Sequence, residues 1–117
     1  KAESGIFRKT SASDYPKLKK IALELAQKKV AEFNQWYNLR YHRISIRNQK
    51  TRWGSCSKLG NLSYNYKIIL LPERLTDYII VHEMCHLKEF NHSRRFWDLV
   101  AQTLSDFKQR RKEIKDI

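Results

Sequence analysis

Residues 78–87 read Tyr-Ile-Ile-Val-His-Glu-Met-Cys-His-Leu, two imidazoles and a carboxylate set in an apolar run. A segment this apolar belongs in the interior, where each of those polar groups costs on the order of several kcal/mol if left without a partner. Whatever fold the chain adopts must supply that partner. On a helix, residues four apart differ by about 40° in azimuth and about 6 Å in height, so His82 and His86 point to one side and can share one metal ion. Glu83 lies about 100° from His82 and about 60° from His86, beside the metal, where as general base it can hold a metal-bound water. Neutral imidazole suits zinc, and a catalytic zinc keeps three protein ligands plus a water whose pKa falls to about 7.

The third ligand is His92 or Glu89. On an unbroken helix His92 would lie about 9 Å beyond His86 and about 120° off its face, whereas Glu89 would fall only about 20° from His82. Three ligands in line suit a tetrahedral ion poorly, and a ligand from a new direction completes it, which favours His92. That requires the helix to stop. Asn91 tolerates the left-handed conformation that ends helices, so a reversal is expected there. Glu89 would then be left to orient a ligand histidine through its carboxylate. Cys85, on the same helix, reads as a small core residue.

The surrounding pattern is α+β. Residues 1–12 lack periodicity and read as a tail or the remnant of a preceding segment, with one domain over 13–117. Ser13 is the expected N-cap of a long helix reaching Asn38, whose apolar stripe includes Leu18, Ile21, Ala22, Leu25, Ala26, Val30, Phe33, Trp36 and Tyr37. Alternation at Ile44 and Ile46, and again at Leu62, Tyr64 and Tyr66, predicts a small antiparallel sheet between Tyr41 and Leu70, with Gly54, Gly60 and Asn61 in turns. Pro72 and Glu73 open the buried His-Glu-x-x-His helix. Ser93 caps a third helix through Phe96, Trp97, Leu99, Val100 and Leu104, and the basic end from Lys108 to Lys115 continues it or forms another.

Composition narrows the class. In 117 residues, 24 Lys plus Arg stand against 12 Asp plus Glu, a formal net charge of +12. With 41% hydrophobic residues the chain has material for one core, and chains of this size bury roughly two-thirds of their unfolded surface. Mean hydropathy is -0.71, and no apolar run approaches the roughly 18 residues of a spanning helix, which excludes the membrane. The opening residues do not form a secretory signal. Cys56 and Cys85 can close at most one disulfide and cannot build a cysteine-rich zinc site, which points to a reducing, cytoplasmic setting. Between Glu32 and Glu73 there is no carboxylate, but Arg40, Arg43, Arg47, Lys50, Arg52, Lys58 and Lys67 are present. A cleft walled by these cations would attract anionic substrates or nucleic acid; the opposing reading is a solvated basic face, and Lys108–Lys115 is read as a solvated helix surface.

Three blocks carry a resemblance: Thr51-Arg52-Trp53-Gly54-Ser55-Cys56-Ser57, His82-Glu83-Met84-Cys85-His86-Leu87, and Asn91-His92-Ser93 with Phe96-Trp97. In order and spacing the chain resembles the YgjP-like metallopeptidase-domain family, relatives of the SprT-like and other short zincin proteases, from about Ser13 to the C-terminus. The resemblance implies a zincin-like fold, with His82, His86 and His92 as ligands of one zinc ion and Glu83 as catalytic base. Family members usually have a strand-rich segment before the first helix, most of which is not found here, so the chain reads as a fragment. The metzincin pattern does not fit, because Glu89 stands where a Gly is expected and no methionine follows Met84.

The expected function is zinc-dependent hydrolysis of peptide bonds. Alternatives are hydrolysis of nucleotides or phosphate esters by the same site, and a nucleic-acid-binding module with structural zinc, which would need a fourth ligand. For substrate binding, Arg52, Tyr64 and Tyr66 are candidate oxyanion donors, and Trp53 is either a substrate contact or core. A peptide could pair with the edge of the Trp-Gly-Ser-Cys-Ser strand.

Overall fold

A computed structural model describes residues 15–117. The expected tail at 1–12 and the Ser13 cap lie outside the described residues. Helix α1, Tyr15–Tyr37, is followed by strands β1 (Arg43–Arg47), β2 (Gly54–Cys56) and β3 (Asn61–Asn65). A 3-10 turn at Tyr66–Leu70 leads to α2 (Glu73–Cys85), α3 (Arg94–Ala101) and α4 (Phe107–Lys115).

Ala22, Ala26 and Val30 recur every four residues on α1 and are fully buried. Their small size lets the helix lie close against β1 and the 3-10 turn. Ile21 and Trp36, expected on this face, are 53% and 64% exposed. Ile21 is rotated about 100° from Ala22, and the Trp36 indole N–H donates instead to Gln102 at 3.1 Å. Lys29 is buried, but Glu73 and Asp77 of α2 hold its ammonium, the latter at 2.8 Å. Asn38, at φ 53°, ends the helix, with the Asn34 side chain bonding both the N–H and C=O of Leu39.

The sheet runs β1-β3-β2. It is mixed rather than antiparallel as expected: β2 pairs antiparallel with β3, but β1 pairs parallel with it, Ile44 opposite Leu62 and Ile46 opposite Tyr64. Side-chain alternation reports faces and is blind to strand direction. A β1–β2 connection lets β2 form a hairpin on the far edge of β3, closed through Gly60 at φ +87°. Asn65 fastens that connection. Its side-chain N–H2 donates to the carbonyls of Gln49 and Arg52 at 2.8 and 2.9 Å, and its Oδ1 accepts from the Lys67 amide. The strand ends there, so Tyr66 opens the 3-10 turn instead of extending the alternation.

Candidate metal centre

Helix α2 is apolar all round because its neighbours cover it, with buried residues from Leu75 to Cys85. The last turn brings His82, Glu83 and His86 to the edge of β2. The helix stops at Cys85, not at Asn91, and Asn91 does not adopt positive φ. Tight bonds from Leu87 to Met84 and from Lys88 and Glu89 to Cys85 close the end instead. The chain then turns so that Ser93 caps α3, its hydroxyl oxygen accepting the Phe96 N–H at 3.4 Å. His92 therefore arrives from outside α2.

Three imidazoles converge. His92 Nε2 lies 3.1 Å from both His86 Nε2 and His82 Nε2. Two zinc–nitrogen bonds of about 2.0–2.1 Å at a tetrahedral angle would place their nitrogens about 3.3 Å apart; the two pairs that involve His92 match this spacing, and all three ligand atoms lie within 4.8 Å of one another. The tautomer is also set: His86 Nδ1 lies 3.0 Å from the carbonyl of Glu89, which can only accept, leaving Nε2 with its lone pair toward the cluster. Glu89 thus orients a histidine as expected, but through its backbone rather than its carboxylate. His82 Nδ1 is buried with no hydrogen-bond partner among the described residues, and burial is the largest cause lowering the His82 pKa to about 3, followed by His86, His92 and Arg111. Burial likewise lowers that of His86. Both rings are thereby kept neutral, the form a metal requires.

Phe96 is fully buried beneath the cluster. It stacks on His86 at 4.4 Å between ring centroids and meets His82 and His92 edge-on. Trp97 stacks on His92 at 5.7 Å. The apolar spacing of α3 was readable in the sequence, but not that its aromatic pair floors this site. Glu83, beside the cluster, is buried; desolvation pushes its carboxyl up to about 7, partly offset by Arg52. Gly54, given turn chemistry by its residue type but also part of the expected Trp-Gly-Ser-Cys-Ser strand, sits in β2, and its missing side chain makes room for that carboxylate.

The cleft is lined by Arg52, Gly54, Ser55, Cys56 and Phe90 around the histidines and Glu83. Ser55 and Cys56 belong to the strand expected to offer its edge to a peptide, whereas Phe90 was not anticipated. Arg52 was, and among the described residues it is the sole Lys or Arg lining this cleft, so of the two readings of the basic strand residues the wall around the cleft does not form here. Tyr64 is fully buried and donates its hydroxyl hydrogen to the Ile80 carbonyl at 3.0 Å. Tyr66 is buried against Tyr15. Trp53 packs against the core. None of these three lines the cleft, which corrects the reading of Tyr64 and Tyr66 as oxyanion donors, both being interior, and leaves Trp53 with the core alternative. Cys85 is buried as expected, and both cysteines are free.

The mixed sheet, the buried helix and the converging imidazoles define a zincin-like α+β domain with a site able to hold a metal. The profile of the YgjP-like, metallopeptidase domain family matches residues 14–117, and the chain belongs to that family. A catalytic metal goes with that membership. No curated protein gives a significant match. Among solved structures, the metallopeptidase zymogen jannalysin of Methanocaldococcus jannaschii is 27% identical, with a TM-score of 0.64 over 77% of this chain and 91% of that one. The metallopeptidase zymogen abylysin of Pyrococcus abyssi shares the fold at 23% identity, with a TM-score of 0.68 over 76% of this chain and 90% of that one.

Proposed function

We propose that this domain is a zinc-dependent peptidase in which His82, His86 and His92 hold one ion and Glu83 is the general base. The observation that carries this reading is the convergence of three Nε2 atoms next to a buried carboxylate whose pKa is raised to about 7. When bound, zinc would supply Lewis acidity, polarising a carbonyl and acidifying a water. Glu83 takes the proton of the attacking water and returns it to the leaving amine, a role suited to a group titrating near neutral pH. β2 is an edge strand of the sheet, and Gly54, Ser55 and Cys56 line the cleft; a peptide pairing along that edge lays its backbone past Glu83. Arg52, beside Glu83, contributes positive charge where an oxyanion develops. The family membership and the jannalysin likeness support peptide bonds over phosphate esters. Two free thiols suit a reducing, cytoplasmic location, and no described helix is long and apolar enough to cross a membrane.

The test is a pair of variants on the zinc-loaded protein. Glu83→Gln should retain zinc and lose peptide hydrolysis, whereas His86→Ala should lose both. Undiminished turnover by Glu83→Gln removes the proposed base.

A further inference from the structure

Helix α4 divides its charges between two faces. Asp106, Arg110 and Glu113, at four- and three-residue steps, face the body, where Arg74 of α2 pairs with Asp106 at 3.2 Å and with Glu113, and Arg110 meets Asp106 at 2.8 Å. Lys108, Arg111, Lys112 and Lys115, at steps of three, one and three, line the opposite face. Among the described residues none of these four has an ion-pair partner. They overlook a cavity of about 700 Å³ whose other wall is α3, with Arg94 and Asp98, and whose floor is Trp97 and Phe107, stacked at 5.0 Å. Arg94 approaches Asp98 at 3.9 Å, the one carboxylate in the lining.

Five cations around one carboxylate make this groove a receptor for negative charge. It also adjoins the imidazole cluster, because the Trp97 on its floor stacks on His92. We propose that the α3–α4 groove binds an acidic segment of peptide, held by Arg94, Lys108, Arg111, Lys112 and Lys115 beside the metal centre. The choice of peptide over nucleic acid rests partly on the peptidase reading above and partly on the floor. Single-stranded nucleic acid gains much of its affinity by stacking bases on aromatic faces. Trp97 is already stacked with His92 and Phe107 and carries the Arg111 guanidinium 5.2 Å from its ring. The four α4 cations span about 10.5 Å of helix, the length of about three residues of extended chain, so a short run of glutamates can meet them in sequence.

The test measures binding by fluorescence anisotropy of a labelled peptide carrying a run of glutamates, and of the same peptide with glutamines. The full chain is used in the Glu83→Gln form, so the peptide stays uncut. The glutamate peptide should bind more tightly than its glutamine counterpart, and its affinity should fall as salt rises. Combining Lys108→Gln, Lys112→Gln and Lys115→Gln should weaken it about tenfold, the sum of three modest exposed pairs. Equal binding of the two peptides overturns the proposal, as does an unchanged affinity in the triple variant. Displacement of the peptide by an oligonucleotide of equal charge at lower concentration than by unlabelled peptide also overturns it, in favour of nucleic acid. The readout needs no turnover, so binding of the acidic peptide by the Glu83→Gln form together with no peptide hydrolysis by the zinc-loaded wild type fails the peptidase reading and keeps the groove.

Discussion

A methyl group at Gly54 would stand 2.9 Å from Cγ and 3.2 Å from Oε2 of Glu83. The Ser63 carbonyl, 3.0 Å from the same point, blocks retreat on the other side. β2 and the last turn of α2 therefore approach closely only because position 54 has no side chain. Gly54→Ala should displace the carboxylate and leave the three imidazoles in place. The expected result is a loss of peptidase activity of about a hundredfold, the scale of a group misplaced by an ångström, with metal uptake retained. Overpacking should also cost about 1–3 kcal/mol of stability. Full activity in the alanine variant would show that Glu83 does not need its present position.

Burial raises the Glu83 carboxyl from 4.5 to about 7, which gives this group its own share in the pH dependence of stability in the metal-free protein. The folded state holds its proton more tightly than the unfolded chain does. As pH rises from about 4.5 the unfolded chain gains by ionising Glu83 and the folded one does not, so this group's contribution to stability declines until about pH 7, while His82, whose pKa is lowered to about 3, contributes in the opposite sense. Glu83→Gln removes the titration. In chelator-treated protein at pH 8 it should be more stable than the wild type by on the order of 3 kcal/mol, and near pH 4 the gap should close. Urea unfolding at the two pH values measures both. A base must be ionised to accept a proton, so hydrolysis by the metal-loaded wild type should fall on acidification, with a midpoint below 7 because a bound cation favours the carboxylate.

The sequence displays the centre of this domain more fully than its frame. That His82 and His86 would face one side was legible because a helix repeat fixes their azimuth, and that His92 would join them because the alternative, Glu89, required three side chains in line. The Ser93 cap was legible from residue type and position. The place where α2 ends was not: Leu87 continues the apolar spacing, and what stops the helix is a tight local closure onto Met84 and Cys85. Strand polarity was hidden because Leu62 and Tyr64 alternate identically beside a parallel or an antiparallel neighbour. Tyr64 and Tyr66 misled for a related reason. Their polar tips suggested a cleft, but both faces of β3 are covered, and the Ile80 carbonyl satisfies the Tyr64 hydroxyl inside the core. Gly54 fell in a block that read as a strand, but its closeness to Glu83 was hidden because a missing side chain carries no signal of what fills its space.

Asn65 is the joint between frame and site. Its side chain holds the carbonyls of Gln49 and Arg52 and caps the following turn through the Lys67 amide. Asn65→Ala should cost about 2–4 kcal/mol, since buried groups that lose their partners are penalised by about 1–3 kcal/mol each. Asn65→Asp should do no better: it keeps the acceptor for Lys67 but faces two carbonyl oxygens with a carboxylate. Denaturant unfolding of the pair tests the network. An aspartate variant as stable as wild type would mean that the two carbonyls are satisfied some other way.

Ser93 connects the metal centre to α3. Its hydroxyl caps the helix whose Phe96 and Trp97 support the imidazoles, and His92 is its immediate neighbour. Removing that cap in Ser93→Ala frees the Phe96 amide and should cost about 1 kcal/mol of stability. The loss should appear more strongly in the site than in the fold, because the first turn of α3 sets where His92 stands relative to His82 and His86. Metal affinity, followed by competition with a chromophoric chelator, should fall roughly tenfold, as for other groups that orient ligands from behind. Ser93→Thr and Ser93→Asp retain a capping oxygen and should restore most of the affinity. Weak binding in those two as well would trace the defect to the bulk of the side chain and not to the cap.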